Sequence, residues 1–179
     1  MNKVLGLFVG ALLFATISGA MADQRDARLD PLFERLKATT DAAEAEEIAT
    51  SIRGLWALSG NDDADKLMAV GLGAMRDGAV WDAVRSFDLA VFRAPDFAEG
   101  YNMRATAYYF MGNTPSAIKD IERVLELEPR HFGALVGLGT IRLSMKDEKG
   151  ALAAFERALA INPHLVGARA HAKELRSRQ

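Results

Sequence analysis

The chain has 179 residues, of which 50% are hydrophobic and 26% are charged, and its formal net charge is −2. This balance is typical of a globular protein, and it lacks the basic excess that nucleic-acid binding requires. There is no cysteine, which excludes disulfide bonds, a thiol nucleophile and cysteine-ligated metal sites.

The first 22 residues have the three parts of a secretory signal peptide in order. Lys3 gives a short positive start, residues 4–17 are uncharged and apolar, and Ala20-Met21-Ala22 forms a small-residue cleavage site. We therefore expect cleavage after Ala22, a periplasmic or secreted protein, and only transient membrane contact through this segment. The alternative is an N-terminal membrane anchor, because the uncharged stretch approaches the length that spans a bilayer.

Residues 23–63 are predicted to form a helical hairpin. Asp30, followed by proline, is a candidate cap for the first helix, and Asp41 with Glu44 makes a start like a capping box for the second. Gly60 then ends the second helix. This segment is interpreted as an N-terminal hairpin that is a degenerate copy of the repeat that follows it.

Residues 64–165 contain a 34-residue period that occurs three times, in units 64–97, 98–131 and 132–165. Small residues in fixed columns let two helices approach closely, and the proline column ends the second helix of each unit. The five columns are Gly71/Ala105/Gly139, Ala83/Ala117/Ala151, Phe87/Ile121/Phe155, Ala90/Val124/Ala158 and Pro95/Pro129/Pro163.

This pattern resembles the tetratricopeptide repeat (TPR), whose 34-residue unit is a pair of antiparallel helices. Ala74 and Arg142 depart from its tyrosine column, and Arg104 departs from its leucine column. The resemblance implies an all-α, right-handed α-solenoid of helix hairpins in which stacking buries the apolar stripes. With the N-terminal hairpin and a C-terminal capping helix in 166–179, the sequence predicts three full repeats, nine helices and no strand.

The turns inside the repeats carry their own signals. Gly78 and Gly112 are expected to adopt left-handed backbone conformations, and Lys146 takes that place in the third repeat, with Asp147 as a cap. Before the first repeat, Asp62 or Asp63 is the expected cap.

No pattern of catalytic or metal-ligating residues emerges. His131 and His164 follow the helix-ending prolines and are expected at solvated junctions, while His164 and His171 are about 10 Å apart along a helix. The series Asn61, Asp63, Asp65 lacks the glycine and glutamate of a calcium loop. The sequence therefore predicts no catalytic residue, no metal site and no cofactor, and we do not expect an enzyme.

The TPR resemblance implies a concave groove lined by the first helix of each unit. Its expected lining is mostly apolar, with aromatic anchors in the centre and adaptable methionines beside them. The alternative is that these side chains pack on a neighbouring helix, such as the C-terminal helix folding back. The candidate groove residues are Met68, Leu72, Met75, Arg76, Asn102, Thr106, Tyr109, Phe110, Val136 and Thr140.

Some TPR proteins clamp the terminal carboxylate of a peptide with Lys, Asn and Arg side chains in this groove. Here those positions hold Met68 and Leu72 in the first unit, and Val136 and Thr140 in the third. We therefore expect an apolar helix or extended segment of a protein partner, with no nucleic acid or metal. The expected function is a non-catalytic scaffold or adaptor of the bacterial periplasm; the alternative is a regulatory subunit of an envelope enzyme or of a secretion or assembly complex.

Overall fold

The structure is a computed structural model that describes residues 26–178, so the predicted signal peptide lies outside the described residues. Within this range the chain forms nine helices and no strand. Three antiparallel hairpins, α3–α4, α5–α6 and α7–α8, pack one on the next, which confirms the predicted all-α stack of hairpins. The helices are α1 (Leu29–Ala38), α2 (Ala42–Trp56), α3 (Asp62–Arg76), α4 (Val80–Arg93), α5 (Ala98–Phe110), α6 (Thr114–Leu127), α7 (Phe132–Ser144), α8 (Glu148–Ile161) and α9 (Val166–Arg176).

None of the helices in the described range combines the length and the apolar character that a bilayer span requires. Each helix buries one stripe of mostly apolar residues, as helices packed into hairpins require.

A small residue on the first helix of each hairpin faces a large residue on the second. A methyl group added at Gly139 would lie 2.6 Å from a carbon of the Phe155 ring, and one added at Gly71 would collide with Phe87 in the same way. The second repeat instead has Ala105 with Ile121, and both are buried in one cluster. The two columns therefore vary together, because the size of one residue limits the size of the other.

Turn chemistry follows the predictions inside the repeats. Gly78 and Gly112 have φ values of 74° and 73°, and Lys146 has a φ of 63° at the equivalent turn. Asp147 caps α8, since its carboxylate accepts a hydrogen bond from the Gly150 backbone N–H at 2.9 Å. These predictions are confirmed.

Two predicted helix starts were wrong by one or two residues. Asn61, not Asp62 or Asp63, caps α3, and its side-chain oxygen accepts hydrogen bonds from the N–H groups of Asp63 and Ala64 at 3.0 Å. Asn61 has the extended backbone that a cap needs, whereas the aspartates are already helical. Asp30 likewise lies in the first turn of α1, where its charge suits the helix dipole.

Arg104, the departure from the leucine column, ties three helices together. Its guanidinium donates two hydrogen bonds of 2.7 Å to Asp120 on α6 and one of 2.7 Å to Asp88 on α4. Burial opposes its charge, but the hydrogen bonds and Coulomb attraction of both carboxylates outweigh that penalty and raise the pKa of Arg104 above its usual value. The buried Asp120 thus replaces an apolar contact with a bidentate ion pair.

The N-terminal hairpin is present, but it does not stack on the first repeat as a degenerate repeat would. Helix α2 has no extended packing against α3. Instead, the Trp56 indole stacks on the His131 ring, with centroids 4.2 Å apart, and tilts against Phe132 at 5.1 Å. The α1–α2 hairpin therefore covers the turn between α6 and α7.

Arg130 holds this contact from the repeat side. Its guanidinium donates a 2.6 Å hydrogen bond to Asp30 and lies 4.4 Å from the centroid of the Phe33 ring. The buried Glu128 carboxylate accepts hydrogen bonds from both the backbone and the side chain of Arg130. Bidentate pairing and ring stacking are the contacts that arginine makes best, so this junction is a specific docking contact.

At the other end of the stack, α9 packs on α8 through Ala168, Ala172 and Leu175. Its exposed residues are mostly polar, and Arg176 of α9 and Arg178 just after it pair with Glu156 and Glu148 of α8. A polar outer face is what the last helix of a solenoid needs.

Candidate functional site

Helices α5 and α7 enclose an open cavity of about 250 Å³ on their shared face. Its floor is apolar and consists of the buried side chains of Ala105, Ile121 and Ile141. Five of the predicted groove residues line it, and all lie on the first helix of a repeat; they are Asn102, Thr106, Tyr109, Phe110 and Thr140.

The cavity exists because α7 presents glycines to α5. Gly133 and Gly137 both line it, and a methyl group added at Gly137 would meet only the end of Ile121, at 3.7 Å. The other two repeats have Ala69 and Met103 at the position of Gly137. Gly133 was expected on the groove face, whereas Gly137 was not predicted; the available signal for Gly137 was a glycine within a helix and outside the small-residue columns of the repeat.

The rim of the cavity is polar but uncharged. The hydroxyl groups of Thr106 and Thr140 each donate a 3.0 Å hydrogen bond to the backbone carbonyl four residues earlier. The Asn102 amide donates to the Glu99 carboxylate at 3.1 Å, which leaves the Asn102 side-chain oxygen without a partner among residues 26–178. No lysine or arginine lines the cavity, so it offers no cation to a carboxylate.

Two aromatic rings stand at one end of the cavity. The centroids of Tyr109 and Phe110 are 6.3 Å apart, and the planes are tilted by 56°. Tyr109 is half-buried, whereas 67% of Phe110 is exposed. An exposed aromatic ring beside an apolar cavity is the arrangement of an anchor point in protein interfaces.

The remaining predicted groove residues do not line this cavity. Met68 is buried in the core cluster that includes Ala107 of α5, so its prediction as a contact residue was wrong. Met68 packs against α5, the first helix of the next repeat. Val136 is half-buried and packs against the apolar cluster between α8 and α9. Three others lie along α3, exposed or half-buried; they are Leu72, Met75 and Arg76.

His131 is buried, not solvated as its position after a proline suggested. Its Nδ1 accepts a hydrogen bond from the Ala134 backbone N–H at 3.1 Å, so the ring proton is on Nε2, which donates to the Glu99 carboxylate at 2.9 Å. The ring therefore caps α7 while Trp56 covers its face. Because Glu99 also holds Asn102, this chain of contacts links the N-terminal hairpin to the rim of the cavity.

The other histidines have structural surroundings. His171 stacks on Phe155, with ring centroids 5.2 Å apart, and His164 is half-buried at the turn before α9. In the part of the chain that the structure describes, no three His, Asp or Glu side chains converge in a way that could hold a metal ion.

Comparison with known proteins establishes the family. Residues 102–165 match the tetratricopeptide repeat family. A TPR repeat-containing protein of Rhizobium etli is 38% identical over 155 residues, which cover 83% of this chain and 76% of that protein. The chain belongs to the tetratricopeptide repeat family.

More distant TPR proteins share parts of this chain. Hsp70-Hsp90 organizing protein 2 of Arabidopsis thaliana is 30% identical over 83 residues, which are 46% of this TPR protein and 14% of the relative. The first TPR of Spaghetti (RPAP3), in a structure bound to the HSP90 peptide SRMEEVD, matches 66% of this chain and 94% of its own with a TM-score of 0.63 and 19% identity. At this level of identity, the likeness to that structure shows that the two proteins share a fold.

Proposed function

We propose that this TPR protein binds an apolar segment of a partner protein in the cavity between α5 and α7 and catalyses no reaction there. The observation that carries the proposal is the cavity itself, which is open, has an apolar floor and stands beside an exposed Phe110. Apolar concave sites with a few polar rim groups are typical of binding sites. Relatives and structural neighbours with this fold are interaction modules, which supports the same conclusion.

The chemistry of the rim defines the ligand. The peptide bound to the RPAP3 domain, SRMEEVD, is acidic. An acidic segment in this cavity would find no cation and would lie close to the Glu99 carboxylate, one turn from Asn102. The proposed ligand is therefore an uncharged or basic segment that inserts an apolar side chain, with an affinity of about 1 μM, or roughly −8 kcal/mol.

The proposed place of action is the periplasm or the extracellular space, where the protein acts as an adaptor between envelope proteins. The signal-like pattern of residues 1–22 supports this location, with an N-terminal anchor as the alternative.

Filling the cavity tests the proposal. Gly137→Leu places a side chain in the cavity, whereas Gly167→Leu on α9 adds the same group at a helix glycine with no atom within 4 Å. Both changes favour the helix, so both variants are expected to fold. A library of terminally amidated peptides is screened for binding to the wild-type protein, and the best apolar peptide is titrated by fluorescence anisotropy.

Gly137→Leu should weaken binding of that peptide at least tenfold, while Gly167→Leu should leave it unchanged. A series with acidic residues and a free carboxyl terminus should bind at least tenfold more weakly than its amidated, uncharged counterpart. Equal binding by the two leucine variants, or tighter binding of the acidic series, would refute this site.

A further inference from the structure

The first face of the solenoid is left without a cap. Because the α1–α2 hairpin packs at the α6–α7 turn, α2 does not cover the outer side of the first repeat. Terminal repeats normally present a polar outer face, as α9 does at the opposite end. Val70 is 60% exposed at this end, and three large apolar side chains on α4 of the same repeat are 52–77% exposed, on the face that is solvent-facing in every repeat; they are Trp81, Leu89 and Phe92.

Three of these side chains form one stripe on α4. Trp81, Leu89 and Phe92, with Arg85 between them, recur at intervals of one helical turn and lie opposite the buried face that contains Phe87. The stripe, which we call the α4 stripe (Trp81, Arg85, Asp88, Leu89 and Phe92), is about 16 Å long.

The TPR fold does not require this stripe. At the repeat positions of Trp81, Leu89 and Phe92 the other two repeats have mostly polar or charged residues. These are Pro115, Arg123 and Glu126 in the second repeat, and Lys149, Arg157 and Ala160 in the third. The apolar surface is therefore a property of the first repeat alone, and a patch of this kind marks a contact site.

We propose that a second copy of this chain docks on the α4 stripe, with the two α4 helices antiparallel about a twofold axis. An axis that passes between Ser86 and Phe87 places Trp81 against Phe92 of the second copy. The same axis places Arg85 against Asp88 of the second copy, so the stripe is complementary to itself in charge, as a twofold interface requires. This interface is separate from the proposed peptide site and does not depend on it.

Both side chains can still make this pair. Arg85 is exposed and forms no ion pair among residues 26–178. Asp88 is 48% exposed and bonds Arg104 through one carboxylate oxygen, which leaves the other oxygen for a second cation.

The area suits a reversible dimer. Trp and Phe side chains bury about 150–250 Å² each, so the exposed parts of Trp81, Phe92 and Leu89 amount to roughly 400 Å² per copy, and Arg85 with Asp88 raises the contact area to roughly 500 Å². A pair would bury about 1,000 Å², near the lower limit for a specific interface, so we expect dissociation in the micromolar range.

Sedimentation equilibrium at protein concentrations from about 1 to 100 μM tests the proposal. The sample is the full chain as the expression host processes it, and its N-terminus is established by intact-mass measurement. The wild-type protein should show a monomer–dimer equilibrium. The double variant Leu89→Arg, Phe92→Glu installs the residues of the second repeat and should weaken dimerisation at least tenfold without a change in circular dichroism. The control Phe110→Glu alters an equally exposed aromatic residue in the peptide cavity and should leave the dimer intact.

Cross-linking tests the antiparallel geometry. The chain has no cysteine, so a single Arg85→Cys substitution is selective. In the proposed pair the two copies of position 85 are about 4.5 Å apart along the helix axis, within reach of a disulfide or a short bifunctional reagent. Lys119→Cys, at the same position of the second repeat, is the matched control and should not cross-link. A monomer over the whole concentration range, or a dimer lost in Phe110→Glu and kept in the double variant, would overturn the proposal.

Discussion

The pairing of Gly139 with Phe155 allows a quantitative test of how the repeats pack. A methyl group at residue 139 would lie 2.6–2.8 Å from three carbons of the Phe155 ring. That ring is fully buried, and His171 stacks against it with an interplanar angle of 16°. Because the ring has little room to move, Gly139→Ala must displace either the ring or the helix.

Two opposing effects set the size of the change. Alanine in place of glycine stabilises a helix by up to about 1 kcal/mol. Overpacking of a closed core costs about 1–3 kcal/mol, so the net effect of Gly139→Ala should be a loss of up to about 2 kcal/mol. Phe155→Ile alone leaves a void and should cost about 1–3 kcal/mol.

The double variant Gly139→Ala, Phe155→Ile reproduces the combination of Ala105 with Ile121 in the second repeat. It should be more stable than the sum of the two single effects predicts. We expect a favourable coupling energy of about 1–3 kcal/mol. Urea denaturation followed by far-UV circular dichroism measures all four proteins of the cycle. Gly167→Ala, where nothing lies within 4 Å, is the control and should be neutral or stabilising. Additive effects, with no coupling between residues 139 and 155, would refute the size-compensation argument.

Two further substitutions test local features. Lys146→Gly should raise the free energy of unfolding by about 0.5–1 kcal/mol, because the left-handed backbone at this turn disfavours a side chain; an unchanged urea midpoint would contradict this. Arg104→Leu alone should cost about 3–5 kcal/mol by leaving Asp120 buried without its partner. Adding Asp120→Ala recreates the pair Leu138 and Ala154 of the third repeat and should restore most of that loss in a denaturation experiment.

The stack of hairpins was predictable because its signals are local and periodic. Columns such as Gly139 with Phe155 and turn residues such as Gly112 recur every 34 residues, and each contact joins residues within one unit or its neighbour. Even the departure at Arg104 stays within this frame, since its partners lie on adjacent helices.

The candidate site was predicted in part for the same reason. Repeat register places Thr106 and Phe110 on the groove side of α5, and the structure finds both at the cavity. Register alone cannot tell which groove positions stay open. Met68 is buried because α5 packs over it. Gly137 lines a cavity only because α5 lies opposite it.

Sequence by itself therefore determined the helices, their turns and the family, because these depend on residues that are close in the chain. Tertiary structure alone decided where the N-terminal hairpin docks, since the stacking of Trp56 on His131 joins distant residues and leaves no periodic mark in the sequence. That docking also decided which surface remains uncovered. Val70 is 60% exposed, whereas Leu138 at the same position of the third repeat is buried, because α2 packs elsewhere and not against the first repeat.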